Sequence, residues 1–287
     1  MEDIEDIIPI RKSEIISASR RTDIPAFYMD MMLEALKNKY IDVKNPYSQK
    51  SSRVSLDKKD VKCICWWSKD YGKWIKIYEE NNILFSGFKH YFNFTINGTN
   101  ELEKGVKTTL DERLKQLKYL TKTFGVNAIS YRFDPIVYYK KKNDDSIYNN
   151  LEHFKYIVKY IAKLGIKEII FAFCLGYPNV VKRMKKMNKE LIILNINEQK
   201  KIMDKLLKIT DKYGIIMKTC CNNELIGYKN IISSACIDKN KIEKITKKRF
   251  KLKRDSGQRK QCNCVQSRDI GDYDMNCKHE CAYCYAK

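Results

Sequence analysis

The chain has 287 residues, 44% of them hydrophobic, and its 56 lysines and arginines outnumber 35 aspartates and glutamates to give a formal net charge of +21. That apolar content is enough to bury a core, and no apolar run approaches the roughly 18 residues a bilayer span requires, so a disordered chain and an integral membrane protein are both excluded. The opening Met1-Glu2-Asp3-Ile4 has no basic segment or cleavage site of an export signal, so the expected location is the cytoplasm, where eleven cysteines imply metal rather than disulfides.

In chain order, short β-rich runs alternate with longer amphipathic segments, the pattern of repeated βα units and a largely parallel sheet. Strands are predicted at residues 14–19, 62–68, 89–97, 128–137, 168–175 and 214–221, and helices at 26–39, 71–81, 110–124, 150–164, 180–191 and 197–213. The expected fold is α/β, a TIM-like partial βα barrel of about six parallel strands. It occupies residues 1–225, with a cysteine-rich, metal-binding extension at 226–287 packed on it.

The first strand runs into Ser17-Ala18-Ser19-Arg20-Arg21-Thr22-Asp23, and ligands of parallel βα folds bind at the carboxyl ends of strands. Arg20, Arg21 and Asp23 are therefore candidate catalytic residues. Lys69 and Asp70 follow the second strand in the same way. Along the third, Tyr91, Asn93, Thr95 and Asn97 share one face and Phe92, Phe94 and Ile96 the other; along the fourth, Ser130, Arg132 and Asp134 oppose Ile129, Tyr131 and Phe133. One polar face suggests an enclosed lumen holding a polar ligand and adds Arg132 and Asp134 to the candidates; an antiparallel sheet with one solvated face is the other way to build it.

Cys63, Cys65 and Cys174 lie inside strand-like runs and are expected to be core residues. Toward the end, Cys220, Cys236, Cys262 and Cys264 provide four thiols for a closed site, with Cys221 interchangeable with Cys220, and either a second 4Fe-4S cluster or zinc suits them. The final segment reads Cys277-Lys-His-Glu-Cys281-Ala-Tyr-Cys284-Tyr285. Three closely spaced thiolates can ligate three irons of a 4Fe-4S cluster and leave the fourth open to a chelating substrate. His279, between two of these cysteines, is expected to be an exposed loop residue, and His90 and His153 have no evident partners.

The CxxxCxxC spacing resembles the radical S-adenosylmethionine superfamily. The resemblance implies that S-adenosylmethionine binds the open iron and that an electron from the cluster cleaves it. Two departures stand: in that superfamily the motif follows the first barrel strand, whereas here it lies near the last residues, and no Gly-Gly-Glu segment is present. A tail folded over the end of the first strand would reconcile the first.

Ser-Ala-Ser-Arg-Arg-Thr-Asp-Ile-Pro-Ala-Phe-Tyr at 17–28, Tyr-Arg-Phe-Asp-Pro-Ile at 131–136 and Ser-Arg-Asp-Ile-Gly-Asp-Tyr at 267–273 together resemble the bacterial domain-of-unknown-function 1848 family over nearly the whole length. That resemblance implies shared cysteines at Cys220, Cys236, Cys262, Cys264, Cys277, Cys281 and Cys284 but no reaction. The leading expectation is an iron–sulfur enzyme with a small-molecule or nucleotide-like substrate of polar or anionic character and an electron donor such as flavodoxin or ferredoxin. The alternative is a zinc protein whose basic stretch, residues 239–254, binds nucleic acid phosphates; an AT-rich coding sequence would raise lysine content without any such role.

Overall fold

The computed structural model describes residues 8–45, 48, 50–259 and 261–286. An all-parallel sheet of eight strands organises it: β1 (Ile15–Ala18), β2 (Cys63–Ser68), β3 (Lys89–Thr95), β4 (Ile129–Ile136), β5 (Glu168–Phe173), β6 (Ile216–Thr219), β7 (Ile232–Ser233) and β8 (Arg268–Asp269). The spatial order is β7-β6-β5-β4-β3-β2-β1-β8. All six predicted strands are present, and two short ones are added from residues 226–287, so that stretch supplies both edges of the sheet. No pairing joins β7 to β8 among the described residues, and the sheet is open there.

The alternation of side chains sorts the two faces. Ile16, Ile64, Trp66, Phe92, Phe94, Ile129, Tyr131, Phe133, Ile169 and Phe171 share one core with the buried faces of the helices. On the opposite face Ile15, Cys63, Cys65 and Tyr91 pack with Cys236, Ile237, Phe250, Cys262, Cys264 and Val265. Asn93, Ser130 and Arg132 are buried there too. The polar face read in the sequence thus faces inward, but much of the space it bounds is filled by chain from beyond residue 230. Cys63 and Cys65 are fully buried, as expected of core thiols.

Local chemistry explains the helices. In Leu110–Phe124, Thr109 and Glu112 form a reciprocal capping box, and Leu110, Leu114, Leu117 and Leu120 recur at helical spacing on the buried side. Asn195 and Glu198 repeat the device for Ile196–Asp211. The helix predicted over 180–191 instead spans Pro178–Lys186. Asn188 then turns the chain with φ 55°, and Lys189–Ile192 forms an antiparallel strand against Tyr138–Lys141. No helix among the described residues is long and apolar enough to cross a membrane.

His90 does have a partner: its Nδ1 accepts the indole N–H of Trp66 at 3.1 Å. Burial pushes its imidazole down to about 4 from the ordinary 6.5. A base lowered in the folded state binds fewer protons there than in the unfolded chain between those values, so stability falls as pH drops from 6.5 toward 4. The expected loss is about 3 kcal/mol, and His90→Gln, which keeps an acceptor for Trp66, should flatten this part of a urea-denaturation pH profile.

Candidate active site at the carboxyl ends of the strands

Asp23 follows β1 and is buried. Its Oδ1 accepts the amide of Ala26 at 3.0 Å, capping the short helix Ile24–Phe27. Its Oδ2 accepts from Ser68 Oγ at 2.9 Å and the Lys69 amide at 3.1 Å, and lies 2.8 Å from His279 Nε2. His279 is only 4% exposed and packs against Phe27 with ring centroids 4.7 Å apart. The expectation of an exposed loop histidine is therefore corrected: a carboxylate and an aromatic ring from the first strand's end hold it. The same end holds the tail elsewhere, since Tyr28 OH donates to the Asn276 carbonyl at 2.7 Å and Arg21 Nη1 to that of Gly271 at 3.0 Å. Asp269 accepts from Ser17 Oγ, Ser19 Oγ and the Arg20 amide, which fixes β8 beside β1.

A second clamp comes from the loop after β3. Glu103, 4% exposed, receives Lys69 Nζ at 2.9 Å, Asn97 Nδ2 at 3.2 Å and the hydroxyl of Tyr283, while Arg113 Nη1 stands 3.8 Å from its other oxygen. Burial alone would disfavour ionisation, but Lys69, Tyr283 and Arg113 outweigh it and hold the carboxyl below its ordinary value. Glu103 also bridges the backbone of Cys281, and the amide of Gly105 donates to the His279 carbonyl at 3.0 Å. The CxxxCxxC segment is therefore seated on the ends of β1, β2 and β3 by buried polar groups.

Of its three cysteines, Cys281 is buried while Cys277 and Cys284 are half-buried. The Cys284 amide donates to the Cys281 carbonyl, so one tight turn presents both. Burial raises the Cys281 thiol, the Lys69 ammonium opposes that, and Cys277 and Cys284 both lie within its electrostatic reach. Cys281, with Cys277 and Cys284 in electrostatic reach and the Lys69 ammonium beside it, belongs to a donor set whose chemistry suits an iron–sulfur cluster.

The other cysteines gather separately. Cys220 Sγ lies 3.6 Å from Cys236 Sγ and 3.9 Å from Cys221 Sγ. Cys264 and Cys262 extend the group, Cys264 interacting with Cys236 and with Cys262, and Cys262 with Cys221. Cys220, Cys236, Cys262 and Cys264 thus come together as expected, with Cys221 as a fifth member. None of the eleven cysteines forms a disulfide. Among the described residues, no group of three or more histidine, cysteine, aspartate or glutamate side chains is posed to hold a metal ion as it stands.

The five charged candidates divide between these places. Arg132 grips Asp134 through two nitrogens, at 3.2 and 2.6 Å, and points Nη1 at Cys236 Sγ, 3.2 Å away. Arg20 reaches Asp255 at 3.5 Å, lies over the Trp67 ring and contacts Cys264. Arg21 and Asp23 fasten the tail. Asp70 caps Gly72 and binds Gln116 and Thr108, a loop-building role. Sequence reasoning missed Glu103 and Arg113, which belong to loop and helix positions without a motif, and set Asn97 on the polar face without assigning it a partner.

A family model described as domain of unknown function (DUF1848) matches residues 15–286. No curated protein matches the chain.

Proposed function

We propose, from the premise that this chain belongs to the family described as domain of unknown function (DUF1848), that it is a cytoplasmic enzyme of the radical S-adenosylmethionine type built on a partial βα barrel. One observation carries this reading: the cysteine segment at 277–284 lies across the carboxyl end of the first strand, through the His279–Asp23 contact of 2.8 Å. That contact supports the reading, because the superfamily's motif follows the first barrel strand.

Cys277, Cys281 and Cys284 would hold a 4Fe-4S cluster, which when bound supplies the electron that cleaves S-adenosylmethionine reductively. The chain's own residues prepare that place. Lys69, its ammonium buried against Glu103 and close to Cys281, offsets thiolate charge. Asp23 and Glu103 fix the segment against the sheet so that its sulfurs do not drift with solvent. Arg132 points at Cys236 of the second group, while Asp134, its side chain 18% exposed and the Thr95 hydroxyl 3.4 Å from it, acts on Lys69 beside Cys281. That polar, partly open position suits a polar or anionic small molecule or nucleotide-like substrate. An external donor such as flavodoxin or ferredoxin would supply the electron.

The basic stretch gives the nucleic acid alternative less support. Within it Lys241 is half-buried and paired with Glu168 and donates to the Ile129 carbonyl, and Lys239 pairs with Glu243.

Anaerobic reconstitution with iron and sulfide, followed by reduction in the presence of S-adenosylmethionine, tests the proposal. The expected result is about four irons bound through the tail, 5'-deoxyadenosine formed, and both lost in Cys281→Ala. A fully loaded protein that never forms 5'-deoxyadenosine, or a Cys281→Ala variant that forms it as well as the parent, would refute it.

A further inference from the structure

The group of Cys220, Cys221, Cys236, Cys262 and Cys264 differs from the tail cysteines in spacing and surroundings. Tetrahedral zinc holds sulfur at about 2.3 Å, which places neighbouring sulfurs about 3.8 Å apart along the edge of the tetrahedron. The observed separation of Cys220 Sγ from Cys236 Sγ, 3.6 Å, is close to that edge. A cubane spreads its protein sulfurs much further, because each binds a different iron.

The sulfurs also accept hydrogen bonds. Arg132 Nη1 donates to Cys236 Sγ at 3.2 Å, and the amide of Ile237 donates to Cys264 Sγ at 3.3 Å. An N–H directed at sulfur stabilises a thiolate more than a thiol, and such bonds orient and tune the ligands of thiolate metal centres. Four thiolates around a divalent cation carry a net double negative charge, and Arg20, Arg132 and Arg259 all lie against this group. The ligand-bearing segments come from three places: the end of β6 (Cys220, Cys221), the residues after β7 (Cys236), and Cys262 and Cys264 on the approach to β8. An ion bound by all of them would tie together the two edges that the sheet leaves unpaired.

We propose that Cys236, Cys262, Cys264 and one of the adjacent pair Cys220 and Cys221 form a mononuclear tetrathiolate zinc site, separate from the tail cysteines, that closes the open side of the sheet. Binding would rotate these neighbouring thiols around one ion. The site has no vacant coordination position, and its role is to hold the edge strands together rather than to meet substrate.

The test is elemental analysis of the full chain purified without added metal, with cobalt(II) titration of protein stripped by a chelator. One zinc per chain is expected, retained in Cys281→Ala and reduced by about tenfold in occupancy in Cys264→Ser. Cobalt should produce the intense visible bands of a tetrahedral thiolate complex, and these should persist in Cys281→Ala. Should Cys264→Ser fail to fold, the cobalt spectrum of the parent protein decides. An octahedral or absent cobalt spectrum overturns the site, as does iron and sulfide bound in place of zinc in Cys281→Ala. Loss of 5'-deoxyadenosine formation with the zinc intact would count against the tail's chemistry alone, so the two proposals fail separately.

Discussion

Replacing Gly105 with alanine is expected to displace the cysteine tail from the strand ends. A methyl group at this position would stand 1.9 Å from the Lys278 carbonyl oxygen and 2.6 Å from the His279 carbonyl carbon. Both are backbone atoms, so no side chain can swing aside, and the hydrogen bond from the Gly105 amide to His279 already holds the two segments at closest approach. If the tail stays seated, overpacking of this kind costs about 3 kcal/mol; if it lifts, the contacts to Asp23 and Glu103 are lost instead. Either way, native-state alkylation should find Cys281 much more reactive than in the parent. Gly257→Ala is the control, since its added methyl would meet only the flexible Asp255 side chain at 3.3 Å. An unchanged alkylation rate and denaturation midpoint for Gly105→Ala would mean that the tail is not held by this contact.

The second large effect is expected at Glu103. Its carboxylate is shared by Lys69 and Arg113, whose side chains are 13% and 1% exposed. Taking away the carboxylate that the two cations share leaves them in a site that water scarcely reaches, a change that typically costs about 3–5 kcal/mol, the loss expected of Glu103→Ala. The pH dependence has a definite sign. Because Glu103 ionises more readily when folded, its contribution is fully present above the unfolded value near 4.5 and disappears as pH falls through the lower folded value. A urea-denaturation series should therefore show the difference between parent and Glu103→Gln shrinking on acidification below that point. A difference that stayed constant would argue that the carboxylate is not charged in the folded protein.

Strands β1 to β6 were legible because their side chains alternate sharply, as Phe92, Asn93 and Phe94 do, and a two-residue period survives without knowledge of neighbours. The carboxyl-end candidates were legible for the same reason: Asp23 and Asp134 end runs whose buried face could be assigned. β8 was not. Arg268 and Asp269 look like any polar loop, and only the acceptance of Ser17, Ser19 and Arg20 by Asp269, from the far end of the chain, makes them a strand. His279 misled because Lys278 and Glu280 flank it, and a buried histidine whose partner is remote in sequence has no local signature. Four distant thiols could be grouped at all because cysteine outside apolar runs is rare enough to limit its possible partners, while Glu103 and Arg113 had no such scarcity to mark them.

The alignment of Arg268 with Ile16 carries a kinetic consequence. Bringing two such remote points together costs about 5 kcal/mol of loop-closure entropy, far more than a two-residue ladder returns, so the eighth strand cannot nucleate assembly. The seven-stranded remainder should condense first and recruit that edge afterwards. Amides at 268–271 should then exchange with deuterium well before those of β2 and β3, making this margin the place where the native molecule first comes apart.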